Sequence, residues 1–193
     1  MAENETVSVK VVFVGNSSVG KTSLINAISN VDNNEPILPT IGACFICKEY
    51  QFKGLTVRLH VWDTAGQERF RSLTPSYFHD AEYVVIVYSV DNRPSFEEID
   101  QWNQSVLNVC RKAPELILIG NKIDLEDRCI STDEGTRKAE SIGAIFYETS
   151  AKEKPKDIDK ILENVANDFV SEKSVNLASA MPALVNESER HCC

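Results

Sequence analysis

The sequence has no long apolar run and no excess of positive charge. Because no stretch of about 18 or more apolar residues occurs, no transmembrane helix is expected. Its 20 lysines and arginines are outnumbered by 29 aspartates and glutamates, which gives a formal net charge of −9. Such a chain lacks the broad basic surface with which proteins bind nucleic acid, or anionic lipid by charge alone. The composition predicts an acidic soluble domain.

The amino-terminal residues also lack the character of a secretory signal. Residues 1–6 are acidic and polar, so an ordinary signal peptide is not expected. The even number of cysteines, six, leaves disulfides open, but reduced cytosolic thiols are the favoured reading without a signal peptide. Cys44 and Cys47 lie three residues apart in a strand-like run and so point to opposite faces. We interpret them as packing residues and not as zinc ligands.

Strand-like apolar runs alternate with helix-like segments along the 193 residues, which is typical of a sheet covered by helices. The predicted strands are Val7–Val14, Cys44–Phe52, Thr56–Trp62, Tyr83–Val90, Leu116–Ile119 and Ala144–Tyr147. The predicted helices are Lys21–Ser29, Ser95–Cys110, Thr132–Ile142 and Lys156–Val170. Lys53-Gly54 is a short hairpin signal and predicts that the second and third strands are antiparallel.

These elements predict one doubly wound α/β domain with a mostly parallel sheet and one antiparallel strand. The domain is predicted to cover residues 7–170, after a flexible amino terminus at 1–6. Residues 171–193 are small and polar without periodicity, and are predicted to form a flexible tail. Ser95 is followed three residues later by Glu98, which predicts a capping box at the start of that helix.

Gly15–Thr22 matches the pattern G-x-x-x-x-G-K-[ST] between a predicted strand and a predicted helix. In that context the loop N–H groups and the positive helix end converge on one anion, which makes a chance match the weaker reading. Lys21 is predicted to reach the β- and γ-phosphates of a nucleoside triphosphate, and the Thr22 hydroxyl to coordinate Mg²⁺. The predicted nucleotide-binding residues of this loop are Gly15, Ser17, Ser18, Val19, Gly20, Lys21, Thr22 and Ser23.

Asn121-Lys122-Ile123-Asp124 follows a buried-type strand and indicates the base. The Asp124 carboxylate can accept two hydrogen bonds from guanine, from N1–H and the 2-amino group, and adenine lacks this pair. The Lys122 stem is predicted to lie along the base, and Asn121 to tie the surrounding loops together. Ser150, Ala151 and Lys152 follow the last strand, where the Ala151 N–H is predicted to meet the guanine carbonyl.

Asp63-Thr64-Ala65-Gly66-Gln67 follows the third predicted strand and supplies the candidate hydrolytic residues. Asp63 is predicted to hold the Mg²⁺ shell, Gly66 to bind the γ-phosphate through its N–H, and Gln67 to orient the attacking water. Thr40 is predicted to close over the metal and the γ-phosphate, although alone it would be read as a solvated loop threonine. The predicted catalytic residues are therefore Gln67, Lys21 and Thr40, and both segments would order with GTP and release on hydrolysis.

In combination, these motifs resemble the Rab family of Ras-like small GTPases. The resemblance rests on Trp62–Arg71, on Thr40-Ile41-Gly42 and on the terminal pair Cys192-Cys193, and it covers about Ser8–Phe169 plus that pair. It implies a six-stranded Ras-like fold with helices on both faces and a GTP–Mg²⁺ switch of vesicle and membrane traffic that hydrolyses GTP slowly to GDP. It also implies exchange factors, GTPase-activating proteins, a dissociation inhibitor or escort protein, and effectors. The implied effector residues are Ile41, Gly42, Phe45, Trp62 and Tyr77, with core packing as the alternative for the three aromatic side chains.

The terminal Cys192 and Cys193 match the family's geranylgeranyl attachment sites. One lipid chain gives marginal membrane binding, whereas two give stable anchoring. The tail has no polybasic stretch that would replace the second chain. The resemblance therefore implies a protein on the cytoplasmic face of intracellular membranes with a cytosolic pool, and unmodified exposed thiols are the alternative.

Two departures from the family pattern stand upstream of Thr40. Asn33 and Ile37 occupy positions where the family usually carries aromatic residues, and their loss is expected to loosen the nucleotide and speed its exchange. Three hypotheses follow: a slow GTPase switch, a scaffold that holds nucleotide without cycling, and a P-loop kinase or ATPase. Gln67 counts against the scaffold, while Asn121–Asp124 and the lack of an arginine-rich lid count against the third.

Overall fold

The computed structural model describes residues 5–29, 43–52, 54–64 and 77–180. Its strands are β1 (Glu5–Val14), β2 (Ala43–Phe52), β3 (Leu55–Thr64), β4 (Tyr83–Ser89), β5 (Glu115–Asn121) and β6 (Ala144–Glu148). Its helices are α1 (Lys21–Ile28), α2 (Arg93–Glu97), α3 (Ile99–Val109), α4 (Thr132–Ile142) and α5 (Pro155–Ala180). Every strand predicted from an apolar run is present, with ends that shift by one or two residues.

The six strands form one sheet in the order β2-β3-β1-β4-β5-β6. β2 and β3 pair antiparallel, and every other neighbouring pair is parallel. The predicted fold class, a mostly parallel sheet with one antiparallel strand, is confirmed. Since β1, β3, β4, β5 and β6 run the same way, their carboxyl ends meet at one edge of the sheet, where ligands bind in folds of this kind.

The sheet separates two apolar cores, and β1 contributes to both because its side chains alternate between the faces. Val9, Val11 and Phe13 pack with α1 and α5 in what we call the first core. Val12 and Val14 pack with α2, α3 and α4 in the second core. The helices therefore lie on both faces of the sheet, as predicted. In the part of the chain described here, no helix is long and apolar enough to cross a membrane.

The single helix predicted over Ser95–Cys110 is wrong, because the structure has α2 and α3 with a break at Glu98. The predicted Ser95–Glu98 capping box is wrong as well. Asn92 caps α2, with its Oδ1 accepting from the Ser95 N–H at 2.9 Å. Ser95 is buried, and its hydroxyl donates to the Asn92 carbonyl and accepts from the Ser89 N–H. That hydroxyl is therefore committed to the strand–helix connection.

Regular structure extends past both predicted limits of the domain. Glu5 and Thr6 pair with Leu55 and Thr56 of β3, so β1 begins two residues before Val7. α5 continues to Ala180 instead of ending near Val170. Leucine, alanine, glutamate and lysine in this extension have high helix propensity. Of the predicted flexible tail, residues 171–180 are therefore helical, and residues 181–193 lie outside the described residues.

Candidate functional site

The loop between β1 and α1 adopts a conformation that requires glycine at two positions. Gly15 has φ of +136° and Gly20 has φ of +96°, and Ser18 is also left-handed at +62°. A Cβ atom on Gly15 would lie 2.1 Å from the Val87 carbonyl oxygen, and one on Gly20 would lie 2.2 Å from Asn121 Nδ2. Neither distance is sterically possible. The loop is therefore pressed against the ends of β4 and β5.

The Lys21 ammonium is held inside this loop by main-chain oxygens. The residue is 5% exposed, and its Nζ donates to the carbonyls of Gly15 and Asn16, each at 2.8 Å. Burial lowers the pKa of Lys21 to about 8, and the charge of Asp63 partly opposes this. A buried cation of this kind is stabilised by a bound anion. The geometry therefore suits a phosphate group at this loop.

Thr22 and Asp63 bring a hydroxyl and a carboxylate together beside Lys21. Thr22 Oγ1 donates to Asp63 Oδ2 at 2.7 Å, and Asp63 is 1% exposed near the end of β3. Mg²⁺ prefers oxygen ligands such as hydroxyl and carboxylate groups. It usually takes few protein ligands besides phosphate and water. The pair fits that ion. Among the described residues, no group of three or more His, Cys, Asp or Glu side chains forms a separate metal cluster.

Asn121 joins the phosphate loop to the loop after β6. The residue is 1% exposed, and its Nδ2 donates to the Val19 carbonyl at 2.8 Å. Its Oδ1 accepts from the Ala151 N–H at 3.2 Å. This is the geometry required for the tying role predicted for Asn121. The Ala151 N–H, predicted to meet a guanine carbonyl, instead donates to Asn121 in this structure.

A second link joins Asp124 to Ser150. The Ser150 hydroxyl donates to Asp124 Oδ1 at 2.5 Å and accepts from the N–H groups of Lys152 and Glu153 at 3.2 and 3.0 Å. Lys122, the first residue after β5, is left-handed, with φ of +67°. Sequence reasoning placed Ser150 at the site without a role. The structure shows that it orients the Asp124 carboxylate.

Ion pairs fix the segment between Asp124 and α4. Arg128 donates to both carboxylate oxygens of Glu148 at 2.7 and 3.3 Å. Arg93 donates to Glu134 at 2.7 Å and also to the Cys129 carbonyl. The hydrogen bonds from Arg93 and from Ser131 lower the pKa of Glu134 to about 2. Sequence reasoning missed the two ion pairs, because Arg128 and Glu148 lie 20 positions apart in the chain and Arg93 and Glu134 lie 41 positions apart.

A separate aromatic surface lies on β2, β3 and the residues before β4. The Phe45 ring stacks on Trp62 with centroids 5.1 Å apart, and Trp62 lies 6.1 Å from Tyr77. Trp62 and Tyr77 pack in part against the second core, so the packing alternative holds for part of each. The packing alternative does not explain Phe45, because 51% of this residue is exposed to solvent. The surface therefore presents at least one large apolar side chain to solvent.

Some predicted site residues belong to parts of the chain other than those described. Outside the described residues lie Asn33, Ile37, Thr40, Ile41, Gly42, Gly66, Gln67, Cys192 and Cys193. Their roles stay predictions. The described residues that the fold brings to one edge of the sheet are the phosphate loop, Thr22 with Ser23, Asp63, Asn121–Asp124 and Ser150–Lys152.

A model of a known protein family matches most of the chain. The model of the Ras family matches residues 10–171, which begin within β1 and end within α5. The match covers most of the 193 residues. It includes the phosphate loop and the loop after β6, which Asn121 joins.

Proposed function

The chain belongs to the Ras family of small GTPases, and from this premise we propose that it is a Rab-type switch of vesicle and membrane traffic. Members of the family bind guanine nucleotide, generally with Mg²⁺, and hydrolyse GTP. The observation that carries the nucleotide site is the Asn121 side chain, which contacts the phosphate loop at Val19 and the base-side loop at Ala151. One residue thereby fixes the spacing between a phosphate pocket and a base pocket.

The phosphate loop and Lys21 hold the phosphates in this proposal. The loop N–H groups of Ser17, Ser18 and Val19 bind phosphate oxygens, and the Lys21 ammonium reaches the β- and γ-phosphates. Burial disfavours the charged form of Lys21, and a bound phosphate would favour that form. Thr22, Asp63 and Thr40 would hold Mg²⁺, which neutralises charge on the phosphate oxygens when bound.

Asp124 selects guanine in this proposal. Its carboxylate accepts from guanine N1–H and the 2-amino group, while Ser150 holds it in place through a 2.5 Å hydrogen bond. The Lys122 stem covers the base. The Ala151 N–H reaches the guanine carbonyl only by sharing its hydrogen with Asn121 Oδ1 or by shifting away from it. A wrong base leaves the carboxylate without its donors, which is strongly unfavourable.

Hydrolysis is proposed to be slow without a partner. Gln67 orients the attacking water and Gly66 binds the γ-phosphate, by the sequence pattern. Unaided hydrolysis in small GTPases is of the order of 10⁻⁴ per second, and an activating protein that stabilises the transition-state charge accelerates it. Exchange factors, activating proteins and a dissociation inhibitor are the regulators we propose.

Effectors and membranes are the remaining partners in the proposal. The exposed Phe45, stacked on Trp62, supports an effector surface that also includes Tyr77, Ile41 and Gly42. Prenyl groups on Cys192 and Cys193 would anchor the protein to the cytoplasmic face of an intracellular membrane, because two chains give stable binding. Extraction by the dissociation inhibitor would maintain the cytosolic pool.

The nucleotide assignment is tested on the purified full chain. The protein is denatured, the released nucleotide is identified by chromatography, and single-turnover hydrolysis is followed with GTP and with ATP. We expect guanine nucleotide and slow formation of GDP from GTP alone. Retained GTP with no GDP formation would favour the scaffold hypothesis, and equal turnover of ATP would contradict guanine selection.

The membrane assignment is tested with prenylated protein and vesicles. The prenylated wild type is expected to sediment with vesicles, and the Cys192→Ser, Cys193→Ser variant is expected to stay in the supernatant. Addition of a Rab dissociation inhibitor should release the wild type. Sedimentation of the double variant would overturn the anchor.

A further inference from the structure

Helix α3 makes a side-chain hydrogen bond to the phosphate loop. The Trp102 indole Nε1–H donates to Asn16 Oδ1 at 2.9 Å. Trp102 is 3% exposed, and a buried indole N–H usually finds an acceptor. Asn16 is the second residue of the phosphate loop. This contact connects two segments that are far apart in the chain.

The same asparagine also contacts the loop cation. The Asn16 main-chain carbonyl accepts from Lys21 Nζ at 2.8 Å, while its side chain accepts from Trp102. The two contacts hold the residue at its main chain and at its side chain. They therefore restrict rotation of the peptide between Asn16 and Ser17, whose N–H is among those that would face phosphate.

Trp102 lies on a buried face of α3 and is therefore held in place by packing. On α3, Ile99, Trp102 and Val106 are buried in the second core. The phosphate loop itself is joined to the first core, through Val19 and through Leu24 of α1. The Trp102–Asn16 bond is thus a connection from the second core to a loop supported mainly by the first core.

We propose that Trp102 is a positioning residue that fixes the phosphate loop through Asn16 and thereby slows the release of guanine nucleotide. The effect on release rests on the proposed function, whereas the contact itself does not. Loss of one buried hydrogen bond predicts a dissociation rate about 5–10-fold faster.

The contact is tested without nucleotide chemistry by following the indole protons in NMR spectra. Because the chain has two tryptophans, two indole Nε1–H resonances are expected, and Trp102→Phe identifies the relevant one by removing it. We expect this proton to exchange slowly with solvent. Asn16→Ala should shift its resonance and speed its exchange, whereas Asn16→Asp keeps an acceptor oxygen and should preserve protection. Unchanged protection in Asn16→Ala would overturn the proposal.

The consequence for release is tested with the full chain loaded with a fluorescent GDP. Trp102→Phe and Asn16→Ala should each release it about 5–10-fold faster, and the double variant should be no faster than either single variant, since both remove one bond. Gln104→Ala is the matched control, because this exposed side chain on α3 bonds within the helix to Asn108.

The outcomes separate the two proposals. If the wild type binds guanine nucleotide but the single variants release it at the wild-type rate, the role of Trp102 is refuted and the proposed function stands. Independent, multiplying effects in the double variant would also refute it. If the wild type binds no guanine nucleotide, the proposed function fails, and the NMR result alone decides whether Trp102 positions the loop.

Discussion

The two halves of the candidate site, which we call the phosphate half and the base half, use different parts of the protein chain. The phosphate half is defined by the main chain, with left-handed Gly15, Ser18 and Gly20 and with carbonyls that hold Lys21. The base half is defined by side chains, chiefly Asn121 and the Ser150–Asp124 pair. Phosphates are common to all nucleotides, whereas only the base identifies guanine. Space therefore limits substitutions in the phosphate half, whereas hydrogen-bond chemistry limits them in the base half.

The largest effect is expected for Gly20→Ala, which tests whether space limits the phosphate half. The new Cβ would lie 2.2 Å from Asn121 Nδ2, so either the loop or the Asn121 side chain that joins it to the base half must move, and guanine nucleotide affinity should fall at least about 100-fold. Titration with a fluorescent guanine nucleotide measures the change.

Gly143→Ala is the matched control for this substitution. Gly143 has a positive φ of +69°, and nothing lies within 4 Å of its added Cβ. It should cost about 1–2 kcal/mol of unfolding free energy from backbone strain without loss of affinity. Wild-type affinity in Gly20→Ala would contradict the steric account.

The next effect is expected for Asp124→Asn in the base half. The amide can no longer accept both guanine donors, so GDP affinity should fall about 100-fold. Its NH₂ group can instead donate to the carbonyl oxygen that xanthine carries in place of the guanine 2-amino group. The affinity for xanthosine diphosphate should therefore rise. Competition between the two nucleotides measures this. Asp127→Asn, on an exposed residue nearby, should keep the wild-type preference, and an unchanged preference in Asp124→Asn would remove that residue from base selection.

A smaller effect is expected for Ser150→Ala. The substitution removes the donor to Asp124 and the acceptor for two N–H groups. GDP affinity should fall about 5–10-fold, as for loss of one or two net hydrogen bonds. Calorimetric titration of GDP compares this variant with Ser141→Ala, whose hydroxyl only donates to the Lys138 carbonyl within α4. Equal affinities in the two variants would show that the orientation of Asp124 does not depend on Ser150.

The smallest effect is a pH dependence of stability from Glu134 in the first turn of α4, whose ion pair with Arg93 fixes the segment that follows Asp124 of the base half. Glu134 has a folded-state pKa lowered from 4.5 to about 2 by Arg93 and Ser131. Its contribution to stability is therefore fully present above the unfolded pKa and is lost as pH falls from about 4.5 towards 2. Wild type should have a higher Tm than Glu134→Gln at pH 7, and the two should converge near pH 2. Glu140→Gln on the same helix is the control, and a difference in Tm that does not narrow in acid would contradict the assignment.

The sequence predicted helix ends correctly where the residues that start and stop the helix are close together in the chain. α4 has the predicted ends, Thr132 and Ile142. Ser131 and Glu134 form a reciprocal capping box at its start, and left-handed Gly143 ends it. The Ser95 capping box failed for the opposite reason. The Ser95 side chain is buried and bonds to Ser89, which no pattern within the helix can show.

In the candidate site, too, local features could be predicted and contacts between distant residues could not. The Gly15–Thr22 and Asn121–Asp124 motifs could be read from the sequence because their residue types and spacing are local. The contacts that orient them could not, because they join residues such as Ser150 and Asp124, or Trp102 and Asn16, which only the tertiary fold brings together. Sequence supplied the chemical groups, and the orientation of those groups depends on the packing of the whole sheet.

The alternation along β1 has a consequence for the genetics of this protein. Val11 and Val12 are adjacent in the chain, yet one belongs to the first core and the other to the second. A full sheet separates the cavities that truncating each side chain would create, so their destabilising effects should be nearly additive. A compensating mutation for one neighbour should consequently arise in α1 or α5, and for the other in α2, α3 or α4. Adjacent codons would then have separate sets of suppressors.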